Sequence, residues 1–347
     1  MTHRKPGLAG LYPEEIAETF SLKPFQGRQI FHWIHGRGVF DFAGMTNLPL
    51  ALRDRLTQEC AGGEMTPAKC QTSAGSGTMK MLFLLADGET VESVLIRDGS
   101  RVTVCVSSQV GCPLKCDFCA TGMGGFRRNL EADEIVGQVL HLLKEGEIPR
   151  DTQPNIVYMG MGEPFRNYEA VVKSVRLLMH PDGLNIGARR ITVSTAGEVK
   201  GIARFAEEDW QVRLSVSLHA ANDEKRSRLV PLNRKFGLDR LREAVREYTQ
   251  KTGRQMTFEW TLLDGVNDTP DDVRELAEYA KSLHAFVNLI PWNPVSGLPY
   301  RPSPRARCVA FQAGLARAGV KATLRREKGA DIDAACGQLR ATHHSGQ

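Results

Sequence analysis

Cys112, Cys116 and Cys119 stand at i, i+4 and i+7 in the run Cys112-Pro113-Leu114-Lys115-Cys116-Asp117-Phe118-Cys119. Soft thiolates so spaced select zinc, copper(I) or the iron of an iron–sulfur cluster. A 4Fe–4S cluster normally takes four thiolates, and this run supplies three. The simplest arrangement is a cluster with one iron left open to a small ligand. A zinc ion completed by a distant fourth residue is the alternative that spacing alone leaves open. Either way, the rest of the chain must fold into a scaffold that holds this loop and brings a second molecule to it.

The patterning on either side describes that scaffold. Residues 8–60 read as helices: Glu14 to Phe20, then a helix from Gly27 with Ile30, Trp33 and Ile34 on one face, then one opened by Asn47-Leu48-Pro49 and continued by Leu52 and Leu56. The Trp and Phe residues here are expected in a core, and His32 and His35 at the surface or satisfied. From residue 66 the period changes to strands: Met79–Leu85 and Thr90–Ile96 around Asp87-Gly88, then Arg101–Ser107 after Asp98-Gly99. Beyond the cysteine run, strands alternate with amphipathic helices. Strands are expected at 155–161, 190–195, 212–219, 256–263 and 286–291, with helices at 131–144, 168–179, 198–207, 239–251 and 269–283. This alternation implies a parallel sheet with crossover helices. Six such units are too few to close an eight-fold barrel. The expected fold is therefore α/β, a partial (β/α)6 barrel with a small helical accessory domain. The expected divisions are residues 1–65 (helical), 66–100 (β extension), 101–295 (barrel) and 296–347 (a basic C-terminal segment).

Composition narrows the setting. The opening residues lack the apolar core of a secretory signal, and no apolar run reaches the length of a bilayer span. A cytoplasmic monomer with no membrane partner is expected. There, 8 cysteines read as metal-binding or catalytic rather than as a disulfide framework. A net charge of +5 permits a nucleic-acid partner without requiring one. The charge is concentrated, however. From Arg301 onward nine Lys/Arg face Glu327, Asp331 and Asp333, so this region holds about the whole excess. The bland reading is a solvated surface.

In parallel α/β sheets ligands gather at the carboxyl ends of the strands. There the sequence places Met159-Gly160-Met161-Gly162-Glu163-Pro164, Ser194-Thr195-Ala196-Gly197, Ser215-Val216-Ser217-Leu218-His219 and Pro291-Trp292-Asn293-Pro294. The glycines allow close backbone approach to a ligand, and Glu163 can accept from a ligand amine. Cys105, just before the cysteine run, and Cys336, between glycines at 329 and 337, are two further thiols. Cys60, Cys70 and Cys308 show no partner pattern.

The cysteine spacing, with an aromatic residue before the third Cys, resembles the signature of the radical S-adenosylmethionine (SAM) superfamily. Longer strings sharpen this. Lys23-Pro24-Phe25-Gln26, Met45-Thr46-Asn47-Leu48-Pro49, Cys105 to Cys112, Gly160-Met161-Gly162-Glu163-Pro164, Arg190 to Thr195, Asn288 to Pro294 and Asp331 to Leu339 together resemble the RlmN/Cfr radical-SAM RNA methyltransferases. Within that family the strings look like the RlmN branch. The resemblance implies that Cys112, Cys116 and Cys119 hold a 4Fe–4S cluster. It places Gly162, Glu163, Ser194, Ser217, Leu218, His219 and Asn293 around SAM. It makes Cys336 the methylated carrier, Cys105 the thiol that resolves the covalent RNA intermediate, and Glu92 the general base. Carbon 2 of adenine is not nucleophilic, so a carbon radical must deliver the one-carbon unit, with two SAM used per turnover. The implied substrates are an adenosine of 23S rRNA and an adenosine in the tRNA anticodon loop. The implied auxiliaries are an external electron donor and a thiol reductant for a Cys105–Cys336 disulfide. The Cfr-like alternative is methylation of carbon 8. The competing class is a zinc-stapled RNA-binding protein without catalysis.

Overall fold

A computed structural model of the chain describes residue 5 and residues 7–61, 65–326 and 328–339. The chain opens with three helices, α1 (Pro13–Thr19), α2 (Pro24–Phe31) and α3 (Leu50–Glu59). Proline begins α1 and α2, where a missing N–H costs nothing. A side chain three residues into each helix then caps the start: Tyr12 N–H donates to Glu15 (2.8 Å), and Lys23 N–H donates to Gln26 (3.1 Å). Ile30 and Ile34 are fully buried as expected, whereas Trp33 is only partly covered and donates to Asn47. His32 is exposed. His35 is fully buried and stacked on Phe31 at 4.0 Å; burial first, then His180, pushes its pKa down to about 3, so it stays neutral.

A hairpin unit follows: β1 (Thr66–Thr72), β2 (Met79–Leu84), β3 (Thr90–Asp98) and β4 (Arg101–Cys105), each antiparallel to the last. Next come a two-stranded ribbon, β5 (Gln109–Gly111) with β6 (Phe126–Asn129), and a short helix between them, α4 (Ala120–Met123). The chain then alternates: α5 (Ala132–Glu145), β7 (Asn155–Tyr158), α6 (Tyr168–Met179), β8 (Ile191–Thr195), α7 (Val199–Ala206) and β9 (Arg213–Ser217). It continues with α8 (Asp223–Leu229), α9 (Leu238–Thr252), β10 (Thr257–Leu262), α10 (Pro270–Lys281), β11 (Phe286–Pro291), α11 (Arg305–Arg317) and β12 (Ala322–Leu324). One sheet of ten strands runs β1-β2-β3-β4-β7-β8-β9-β10-β11-β12, parallel from β4 onward. Its parallel part is the expected partial barrel, helices outside.

Three departures from the sequence reading have physical causes. β1 is polar and exposed along nearly its whole length, so it lacks the alternation that marks a strand. The β5–β6 ribbon is only three and four residues long and brackets the cysteine loop. The segment 296–347 supplies α11 and a strand that the sequence reading did not anticipate, β12. Val287–Leu289 pairs with Ala322–Leu324, giving a seventh parallel strand. The expected basic surface there is partly neutralised by acids: Arg307 pairs with Asp264 and Asp268, and Lys328 pairs with Asp98 (3.1 Å). Arg340 and the tail beyond it lie outside the described residues. No helix among the described residues is long and apolar enough to cross a membrane.

Candidate active site

The cysteine loop hangs at the carboxyl end of the barrel, tied down on three sides. Cys112 N–H donates to Gly125 O (2.9 Å), Asp117 N–H to Leu229 O (3.3 Å), and the Trp292 indole N–H to Phe118 O (2.9 Å). Gly111, at φ +73, has no space for a side chain: a Cβ there would sit 1.8 Å from Gly125 O. Cys112, Cys116 and Cys119 are each partly exposed. Burial raises the Cys112 thiol to about 12 and Cys116 well above its ordinary value, and Cys119 and Cys112 raise Cys116 further. The three sulfurs thus share one neighbourhood. Yet among the described residues no three His, Cys, Asp or Glu side chains close around a single metal ion. A zinc site needs four ligands at about 2.0–2.3 Å from one point, whereas cluster thiolates bind separate irons. Three adjacent soft thiols with no fourth ligand fit the cluster better than the ion.

The expected SAM residues lie on loops and strand ends at the same carboxyl end of the barrel. Gly162 has φ +105, and a Cβ there would meet the Gln109 side chain at 2.7 Å. The next residue, Glu163, is 2 % exposed. Its carboxylate accepts from Ala196 N–H (2.8 Å) and Phe165 N–H (3.2 Å), and its own N–H donates to Gln109 (2.8 Å). Burial pushes its pKa up to about 7 against the pull of these N–H donors. Ser194 and Ser217 face each other across β8 and β9, their hydroxyls 3.5 Å apart. Leu218 is fully buried, its N–H donating to Glu259 O (3.0 Å). His219 takes a left-handed backbone, φ +58. Its Nδ1 accepts from Thr261 N–H (3.0 Å), and its ring packs edge-on against Phe118 at 4.7 Å. Burial, then Arg226, lowers its pKa to about 3, so it acts as a neutral acceptor. Asn293 is buried beside Trp292, whose indole reaches the cysteine loop.

The remaining two thiols meet although they are far apart in sequence. Cys105 ends β4, and Cys336 lies on the C-terminal strap; both line one cavity of 80 Å³ with Asn293 and Arg325. Burial, then the Cys336 charge, raises Cys105 to about 12. Burial also raises Cys336, which keeps solvent access, while Arg325 lowers it. The strap is docked rather than loose: Ala120 N–H donates to Gly337 O (2.8 Å), Thr121 to Leu339 O (2.7 Å), and Gln338 to Pro294 O (3.0 Å). Glu92 is buried and ion-paired with Lys80 at 3.1 Å. Val94 pairs with Cys105, so Glu92, two residues back, shares that face of the sheet about 7 Å along the strand.

The model of the radical SAM superfamily matches residues 106–280, and that of the ribosomal RNA large subunit methyltransferase N-terminal domain matches residues 10–61. A protein of Heliobacterium modesticaldum named probable dual-specificity RNA methyltransferase RlmN is 50 % identical, over 96 % of this chain and 89 % of its own. One of Sorangium cellulosum named dual-specificity RNA methyltransferase RlmN is 44 % identical, over 94 % and 93 %. The chain belongs to the RlmN family of radical-SAM methyltransferases. A crystal structure of a radical SAM methyltransferase from Sphaerobacter thermophilus superposes with a TM-score of 0.94 at 45 % identity, covering 97 % of this chain and all of that one. The RlmN fold thus brings every sequence-predicted site residue to one end of the barrel.

Two residues of this RlmN-family site had no sequence signal. Arg226 is completely buried and donates to Leu218 O (3.1 Å), Asn233 (2.8 Å) and Ala196 O (2.6 Å), locking the loops after β8 and β9 together. Burial lowers its pKa to about 10. Arg325 lies between the two thiols and Glu259. Each is one arginine among many, and only the folded neighbourhood distinguishes it.

Proposed function

We propose that this chain methylates carbon 2 of an adenosine in 23S rRNA, and of an adenosine in the tRNA anticodon loop, by way of a one-carbon unit carried on Cys336. The observation that carries this reading is that Cys105 and Cys336 line one small cavity, with Cys119 of the cysteine loop near enough to raise the Cys336 thiol. A zinc-stapled binding protein has no use for that pair.

Cys112, Cys116 and Cys119 would hold a 4Fe–4S cluster, and the loops carrying Gly162, Glu163, Ser194, Ser217, Leu218, His219 and Asn293 would hold SAM. When bound, and with electrons from an external donor, these two groups supply the methyl carbon and a carbon-centred radical. The chain's own residues do the rest. The Glu163 carboxylate receives the ligand ammonium, which favours its ionised form. Arg325 opposes the effect of burial at Cys336, raising its thiolate fraction for methyl acceptance. Cys336 then presents carbon to the ring from a fixed position, and the docked strap keeps water away. Glu92, held by Lys80, takes the ring proton. Cys105 then attacks the Cys336 sulfur: the S–S bond forms, the sulfur–carbon bond breaks, the departing carbon takes a proton back from Glu92, and the one surplus electron of the adduct would pass to the group held by the cysteine loop, leaving a disulfide for a thiol reductant. The target base must leave its stack to reach this depth.

The test is mass analysis of nucleosides from rRNA and tRNA incubated with reconstituted, reduced protein and SAM. 2-Methyladenosine is expected, and 8-methyladenosine alone would refute the carbon assignment. Cys336→Ala should keep the iron–sulfur absorbance and lose methylation. Cys105→Ala should accumulate a protein–RNA adduct.

A further inference from the structure

The barrel is hollow. A closed eight-stranded barrel fills its interior with layers of branched apolar side chains; this partial barrel does not close. Here a cavity of 1140 Å³ runs up from the amino ends of the strands, opposite the SAM loops. Its walls are polar: Thr103, Asn155, Thr192, Ser215, Glu259 and Asn288. The Ser215 hydroxyl and one Glu259 oxygen are buried there without a hydrogen-bond partner, so the hollow is built to hold something polar. Its mouth is ringed by Arg101, Arg189, Arg190 and Arg213, all exposed, with Arg325 and Arg326 further along. The acids on the wall are Asp98, paired with Lys328, and Glu259, which Arg325 offsets. This hollow and the small cavity of Cys105 and Cys336 share Ile96, Met159 and Arg325 as a common wall. Arg326 and Lys328 line both spaces as well, so most of the shared wall is made of long, flexible side chains.

We infer that the hollow is an inlet by which a small anionic thiol reaches the Cys105–Cys336 pair from the side away from the RNA. This rests on the disulfide reading given above. The charge selects the ligand class: a cationic, low-dielectric funnel concentrates small anions. Its size suits a molecule of a few hundred daltons. RNA approaches the opposite end of the strands, where the target base must reach Cys336. The exchange balances. A thiolate attacks one sulfur of the disulfide and expels the other, which takes up a proton. A second thiolate attacks the mixed disulfide, releasing the second protein thiol and the oxidised reductant. Two electrons pass to Cys105 and Cys336.

Methanethiosulfonates of matched size, one carrying a sulfonate and one a quaternary ammonium, test the inlet on the reduced protein. Labelling is read at Cys105 by peptide mass spectrometry, with exposed Cys70 as reference. The anionic reagent should label Cys105 about tenfold faster than the cationic one at low salt, relative to Cys70. The preference should shrink as salt rises and disappear in an Arg190→Glu/Arg213→Glu variant. Equal labelling in the native protein overturns the inlet. So does unchanged selectivity in the variant accompanied by weakened RNA binding, which would assign the mouth to RNA phosphates. A second arm follows reduction of turned-over protein by 2-mercaptoethanesulfonate and by cysteamine, where the sulfonate should be faster by a similar factor. Charge-selective labelling without any Cys105–Cys336 linked peptide after turnover would overturn the disulfide reading and the reductant role, but not the inlet.

Discussion

Arg226 offers the sharpest test of how the ligand loops are held. Its guanidinium satisfies three buried acceptors, Leu218 O, Asn233 Oδ1 and Ala196 O, at 2.6–3.1 Å. Arg226→Lys keeps the charge but puts one nitrogen where three stood, so two acceptors lose their donor. Each buried acceptor left unsatisfied costs about 1–3 kcal/mol, and the ammonium is harder to desolvate than the guanidinium. A loss of about 3 kcal/mol is expected in urea unfolding followed by tryptophan fluorescence. Arg226→Met loses the same bonds but also sheds a buried charge, so it should cost no more than the lysine variant. Both should weaken SAM binding at least tenfold, because Ser217, Leu218 and His219 stand on the segment Arg226 anchors. If both variants unfold within about 0.5 kcal/mol of the parent and bind SAM normally, the clamp is not what positions those loops.

Other consequences follow from single observations. Glu163 is raised from 4.5 to about 7, chiefly by burial. The stability it contributes is present below the unfolded value and lost as pH rises through about 7, whereas SAM's ammonium favours the carboxylate. SAM affinity measured by calorimetry should therefore rise from pH 6 to 8, and Glu163→Gln should flatten the profile. Gly162→Ala places a Cβ 2.7 Å from Gln109 at φ +105; SAM binding should be lost while the circular dichroism of the barrel persists. Lys80→Met removes the cation 3.1 Å from buried Glu92. It should cost about 3–5 kcal/mol in urea unfolding, and Lys80→Arg should recover most of it.

Much of this protein was legible from one dimension. Periodicity marked the N-terminal helices, five helices that follow the barrel strands and the six main strands, because an amphipathic face repeats along the chain whatever it packs against; α4 and α8 are too short to show it. The rule that ligands gather at strand carboxyl ends then placed Glu163, Ser194, Ser217, His219 and Asn293 at one end of the barrel. The three-thiol spacing marked a soft-metal loop, since those ligands are local, although spacing alone left zinc open beside an iron–sulfur cluster. Tertiary structure alone decided what is non-local. β12 pairs over three residues, too short to leave a pattern. Cys105 meets Cys336 only because the strap returns across the barrel to pack on α4. Arg226 and Arg325 differ from the other arginines only in burial and in the groups they face. The hollow was invisible for the same reason. A cavity is the space left by side chains from eight strands, and no stretch of sequence records the gap between them.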